Sequence, residues 1–306
     1  MTCSSPSRPR RSLRSAEVPD AIERPERTAI PVDAAQFGIV QKPLSRWERI
    51  FNVAPLRKGA ILVVLALAWE LYARRVDNPL LLPTFSATVR AFFDALIGGG
   101  LPAMIWVSIK TLLVGYVAGV LLAAILTAFA TTTRLGNDLL ETLTSMFNPL
   151  PAIALLPLAL LWFGLGSLSL SFVLIHSVLW PVALNTHSGF VSVSPTQRMV
   201  GKNYGLRSLR YVALILIPAA SPSILTGLKI GWAFAWRTLI AAELVFGVSS
   251  GKGGLGWYIL ENKNTLDIAN VFAGLLTVII IGLLVENVIF RSVENRTIRR
   301  WGMATT

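Results

Sequence analysis

The chain has 306 residues, 54% of them hydrophobic and only 14% charged, with a mean hydropathy of +0.62; a soluble domain carries roughly a quarter of its residues as charges, so lipid is the expected solvent. Net charge is +12, yet 11 of the 28 Lys and Arg lie before residue 59 and most others flank apolar runs, which marks topology rather than a nucleic-acid groove. Cys3 is the only cysteine, which excludes an internal disulfide framework and a Cys-based metal site.

Residues 1–58 read as a basic tail. Up to about residue 42 the Arg, Ser, Pro and Glu content is too polar to offset the entropy of ordering. Trp47-Glu48-Arg49-Ile50-Phe51 is amphipathic and suits a short helix on the membrane surface. No apolar run in the first 50 residues serves as a signal-peptide core, so the first span is expected to start insertion.

Six spans are predicted, at about 59–76, 102–131, 139–163, 168–190, 211–246 and 268–291. Pro149, Pro151 and Pro157 interrupt the third, and Pro218 and Pro222 break the start of the fifth. The expected class is an all-α, polytopic membrane protein, with a membrane domain over 59–291 and a short tail over 292–306. Six crossings put the N-terminal tail, the 192–210 connection (Arg198, Lys202, Arg207, Arg210) and the final Arg291, Arg296, Arg299 and Arg300 on one side. By the positive-inside rule that side is the cytoplasm, with Arg74 and Arg75 weakly opposed. Gly115 with Gly119, and Gly227 with Gly231, are four apart; close packing within one subunit or a dimer seam would each use them.

Charges inside spans face a cavity or a partner. Lys110, in the second span, can snorkel. Lys229 and Arg237 share one face of the fifth span, about 12 Å apart along the axis. That stripe suits an anionic substrate, or else Arg237 pairs with Glu243, or with Glu70 or Glu286 of other spans. Lys229, Trp236, Arg237 and Glu243 are the candidate path residues, with Glu243 near the outer mouth and within reach of Lys252. Trp232 and Trp236 also fit packing between helices. His176 and His187 alone make a weak metal site.

Two motifs are set aside. Gly251–Gly256 fits G-x-G-x-x-G but follows a span instead of a strand, so a turning loop is expected. Gly247-Val-Ser-Ser-Gly251 fits G-x-S-x-G, without the strand-to-helix turn a nucleophile elbow needs. Gly251-Lys252 is followed by Gly253, so a phosphate-binding Walker sequence is absent and ATP hydrolysis is not expected of this chain.

Ser194–Arg210 is polar and helix-competent, with Ser194 as N-cap, Pro195 in the first turn and Gly205 as stop. The stretch resembles the coupling segment of permease subunits in bacterial ABC importers, with Gly205 and Ile217-Pro218 matching the family's glycine and Leu/Ile-Pro pair. Met199 stands at the family's acidic position, and Val200 and Gly201 where alanines are usual. Pro149–Pro157 with Leu161–Gly166, Ala235–Glu243, Gly254–Trp257 and Arg299–Gly302 are similar to the nitrate, sulfonate and taurine branch, and the resemblance covers about 59–302.

That resemblance implies a type I importer permease in the bacterial inner membrane with both termini cytoplasmic. Two copies, commonly a homodimer, form the path for a small anion. ATP-binding cassette subunits dock on Arg198, Met199, Val200, Gly201, Lys202, Asn203, Tyr204, Gly205, Leu206 and Arg207. They hold ATP and Mg, and this chain holds no cofactor. A periplasmic binding protein delivers the cargo and sets much of the selectivity. The alternatives are an ion-coupled secondary transporter, for which no inverted repeat relates 59–163 to 168–291, and an intramembrane hydrolase using Ser249.

Overall fold

The structure is a computed structural model that describes residues 54–246 and 253–297. Among them all regular elements are helical: α1 (Ala54–Val76), α2 (Phe85–Ile97), α3 (Leu101–Thr132), α4 (Arg134–Phe147), α5 (Leu156–Phe163), α6 (Ser167–Val191), α7 (Pro195–Asn203), α8 (Ser208–Ala219), α9 (Ser221–Phe246), α10 (Leu255–Asn264) and α11 (Ile268–Arg296). A 3₁₀ turn at Ala152–Leu155 leads into α5. Five-residue and six-residue π-helical turns lie within α8 and α11, over Val212–Leu216 and Val285–Phe290.

Three helices, α3, α6 and α11, are each long and apolar enough to cross a membrane. Counting α4 with α5, and α8 with α9, as broken spans brings the number to five; these pairs bend by 88° and 81°. The bends fall where the sequence places prolines, at residues 149–151 and 218–222. Pro has no N–H to give a helix and its ring crowds the carbonyl four residues back. The first predicted span becomes α1, which falls short on composition because charges leave only residues 59–69 as an uninterrupted apolar run. Its 23 residues nonetheless rise about 34 Å, enough for a hydrocarbon core of about 30 Å. Glu70 and Arg74 pair at 2.7 Å, which neutralises part of that charge. Glu70 also accepts the Ser86 N–H, tying α1 to the start of α2.

Packing centres on α6, which lies between α3 and α9. Its apolar stretch is 56% buried, against 28% for α3 and 22% for α11, so α6 is the inner helix and the other two present their sides to lipid. Glycine makes the close approach possible. A Cβ on Gly115 would sit 2.5 Å from Leu174, and one on Gly227 would sit 2.9 Å from Asn185, both on α6. Gly119 and Gly231 repeat the contact one turn on, against Val178 and Val182. Both glycine pairs are thus used within the subunit. In lipid, where apolar burial drives little, such backbone proximity supplies the dispersion energy of assembly. Leu112, Leu174, Val178 and Leu239 fill the seam and are at most 1% exposed.

Two elements are absent from the sequence reading. α2 is an amphipathic helix outside the spans, capped by Thr84, whose side chain accepts the Ala87 N–H. α10 occupies the place where a turning loop was expected; Gly254 and Gly256 belong to its start.

Candidate functional site

The α7 connection is built as a knob with an exposed outer face. Ser194 accepts the Gln197 N–H, and Pro195 occupies the first turn, where no N–H is needed. At the other end Gly205 adopts φ +69°, its N–H bonds to Lys202 O at 2.9 Å, and the Leu206 N–H bonds to Gly201 O at 3.1 Å. This pair of bonds is a Schellman stop, and it needs a left-handed residue. Arg198 folds back under the helix. Its guanidinium donates to Val193 O at 3.1 Å, to Val191 O at 3.2 Å and to Phe190 O, closing the C-terminal carbonyls of α6. Gly201 is buried, and a Cβ there would meet Tyr211 and Ile215 of α8 at 2.9 Å. Leu206 is half-buried. Met199, Val200, Lys202, Asn203, Tyr204, Gly205 and Arg207 remain exposed, Tyr204 at 81%. Of the ten residues assigned here, then, Arg198 and Gly201 hold the knob to the bundle, and seven present its outer face.

A second assembly joins α9 to α10. Glu243 is 3% exposed, accepts the Ser108 hydroxyl of α3 at 2.9 Å, and accepts the Gly256 N–H at 2.8 Å. Ser108 Oγ in turn accepts the Leu255 N–H at 2.7 Å. Two of the orphan amides that open α10 are therefore satisfied by side chains from two other helices, and the carboxylate lies at the positive end of the α10 dipole. Ser108 escaped the sequence reading, because a lone serine in an apolar run carries no pattern. Below this joint, Tyr258 donates to Asn270 Oδ1 at 2.7 Å. Burial, with the Asp267 carboxylate nearby, pushes the Tyr258 phenol up to about 12, which keeps it a donor.

The remaining path candidates separate. Lys229 pairs with Glu294 of α11 at 2.7 Å, each about 70% covered. Trp236 is 6% exposed and packs in the core beside α11, while Trp232 meets Tyr116 edge-on with ring centres 5.4 Å apart. Arg237 is exposed, and no carboxylate among the described residues lies within 4 Å of it. Its guanidinium sits over the Phe234 ring at 5.7 Å. It lines a cavity of about 250 Å³ between the unwound residues 148–151, α6 and α9, together with Asn148, His176, Trp180 and Thr238. Lys229 and Arg237 thus differ in this structure: one is paired with Glu294, and the other meets no carboxylate among the described residues. Lys252, Ser249, the motifs that run through 247–252, the ending 299–302 and the tail before residue 54 lie outside the described residues.

Comparison with known proteins gives a consistent outcome. The sequence profile of the family described as "binding-protein-dependent transport system inner membrane component" matches residues 115–300. An ABC transporter permease protein of Methanocaldococcus jannaschii is 32% identical over 71% of this chain and 82% of its own length. A nitrate import permease protein of Synechocystis is 28% identical over 78% of this chain and 88% of its own. A taurine transport system permease protein of Escherichia coli is 28% identical over 79% and 88%.

Proposed function

The chain belongs to the family of binding-protein-dependent transport system inner membrane components, and from that premise we propose that it is the permease subunit of an ATP-driven importer for a small oxyanion such as nitrate or a short sulfonate. The single observation that carries the reading is α7. It is a short helix between two spans, exposed on its outer side and fastened to the bundle by Arg198 and Gly201. A motor subunit that grips Met199, Val200 and Tyr204 would move α6 with it, because Arg198 ties α7 to two carbonyls of α6 and to Val193 O just past it.

In this reading the termini and α7 face the cytoplasm, as the basic clusters favour. The bacterial inner membrane is the site of action, and a second copy of the chain completes the path. A periplasmic protein releases the anion at the outer face. ATP-binding cassette subunits, which hold ATP and Mg, close on α7 and drive the spans between outward and inward states. The force enters at α7, passes along α6, and reaches residues 176–180 at the Arg237 cavity. Pro181 breaks the α6 hydrogen-bond ladder beside that cavity, a natural place for the helix to flex. The names of the nitrate and taurine relatives, and an Arg237 that meets no carboxylate among the described residues, support an anionic cargo.

Reconstitution into proteoliposomes with the ATPase subunit and binding protein tests the reading. Uptake of labelled nitrate or taurine is expected only with ATP inside the compartment of the ATPase. Uptake that survives without ATP, driven by an ion gradient, would overturn it.

A further inference from the structure

We propose that the Arg237 cavity is a binding site within the permease for one small oxyanion with a short apolar body, an alkyl sulfonate being its simplest representative. The proposal rests on the importer reading above and adds that the membrane subunit itself holds and selects the cargo.

The charge of the cavity comes first. Among the described residues, Arg237 is its only Lys or Arg, and no Asp or Glu lines it. The guanidinium lies over the Phe234 ring at 5.7 Å, a cation–π contact that uses none of its N–H donors. The N–H edge of a guanidinium is a bidentate seat for two oxygens of a sulfonate or nitrate. Size comes second. A volume of about 250 Å³ is several times the roughly 30 Å³ of a water in the liquid, so a small organic anion fits without the cavity opening further.

The third observation is a set of unpartnered polar groups. Trp180 is only 7% exposed, yet among the described residues its indole N–H has no hydrogen-bond partner, and neither ring nitrogen of His176 has one. Buried polar groups left unpaired are costly, and because these two side chains line the cavity, a ligand held there would be placed to complete them. Thr238 and Asn148 add a hydroxyl and an amide to the same wall. The apolar side is equally built. Phe147 stacks on Trp180 with ring centres 5.5 Å apart and planes 11° apart, which fixes the indole. Finally, the backbone at 148–151 is unwound between two half-helices bent by 88°. Irregular backbone at membrane depth is tolerated where it lines a cavity, and broken spans of this kind hold substrates in other transport folds.

The test is equilibrium binding of radiolabelled methanesulfonate to the full-length chain in lipid nanodiscs, without ATP or binding protein. Saturable binding is expected, competed by nitrate but not by uncharged dimethyl sulfone. Trp180→Phe, which keeps the ring and removes the N–H, and Arg237→Ala should each weaken it roughly tenfold. Arg237→Lys should fall between, because it keeps charge and loses the fork. Lys110→Ala, in a separate basic cavity on α3, should leave binding unchanged. Absence of saturable binding up to about 10 mM overturns the proposal. So does dimethyl sulfone competing as well as nitrate, or equal losses in Lys110→Ala and Arg237→Ala. Elution of each variant as the wild-type oligomer separates lost binding from misfolding, and Trp180→Phe remains decisive if Arg237→Ala does not assemble. ATP-driven uptake alongside absent binding overturns this site and leaves the importer reading standing. Saturable binding in a chain that shows no ATP-dependent uptake supports the site and overturns that reading.

Discussion

Glu243 and Arg237 stand six residues apart on α9 and occupy opposite environments. Glu243 is buried, with both carboxylate oxygens engaged by Ser108 and one also by the Gly256 N–H. Arg237 is exposed to a cavity, and among the described residues its guanidinium meets an aromatic face and no carboxylate. The contrast separates two uses of a charge inside a membrane protein. A charge whose hydrogen bonds are all made internally fixes helices to one another. A charge with none made internally is available to something that moves.

The largest expected effect breaks the first half of that contrast. Glu243→Ala strips the acceptor from a buried hydroxyl and a buried amide, and each orphaned group costs about 1–3 kcal/mol. A loss of about 3 kcal/mol is expected for the substitution as a whole, read as a lower thermal unfolding midpoint in detergent, and α10 should become protease-sensitive first. Glu243→Gln should fall between, since one carbonyl oxygen survives. Arg237→Ala should leave the midpoint unchanged and abolish most uptake. If the two alanine variants were equally unstable, the distinction between them would be lost.

Next in size is Arg198→Ala. Three carbonyls at and just past the end of α6 lose a cationic donor, for about 2 kcal/mol, and α7 loses its fastening. Hydrogen exchange should rise across 190–204 while ATP hydrolysis by the assembled complex continues and uptake falls. Unchanged exchange would show that α7 is held by something else. Gly205→Val should cost about 1–2 kcal/mol, because a β-branched residue is forced to φ +69°. It too should uncouple ATP hydrolysis from uptake with the bundle intact, since Gly205 touches no other helix; a Cβ there would meet nothing within 4 Å. Normal coupled transport in this variant would remove the coupling role from the α7 stop.

These effects also mark what was legible in the sequence. Both caps of α7 were readable, because Ser-Pro at a start and Gly at a stop are local rules. The breaks at 149–151 and 218–222 were readable for the same reason. The spans α3 and α6 were predicted to within a residue or so, since long apolar runs admit little else. α10 was not legible. Its N-terminus is stabilised by Ser108, 147 positions away in sequence, and no local pattern announces a contact of that range. Arg198 shows a different limit. Its place in a basic connection was clear, but its use on two carbonyls of α6 and on Val193 O just past it depends on how the chain reverses at 192–194. The pairing partner of Lys229 was missed likewise: Glu294 lies past the predicted end of the sixth span at 291, whereas α11 continues to Arg296.

That last pair gives the smallest expected effect and the sharpest control on the comparison. Lys229 and Glu294 meet at 2.7 Å with side chains 27% and 31% exposed. Partial solvation weakens their attraction, and ordering two long side chains opposes it, so the pair is worth about 0.5 kcal/mol. Lys229→Ala should therefore lower the unfolding midpoint slightly, and Glu294→Ala no more than slightly further in combination, as a double-mutant cycle would read. Uptake should be nearly unaffected, because a neutralised lysine offers no net field to an anion. Arg237, two turns along the same helix, predicts the reverse pattern of high sensitivity in transport and none in stability. Should Lys229→Ala impair anion uptake as strongly as Arg237→Ala, the two cations would form one path after all, and the pairing with Glu294 would be a resting state that the transport cycle opens.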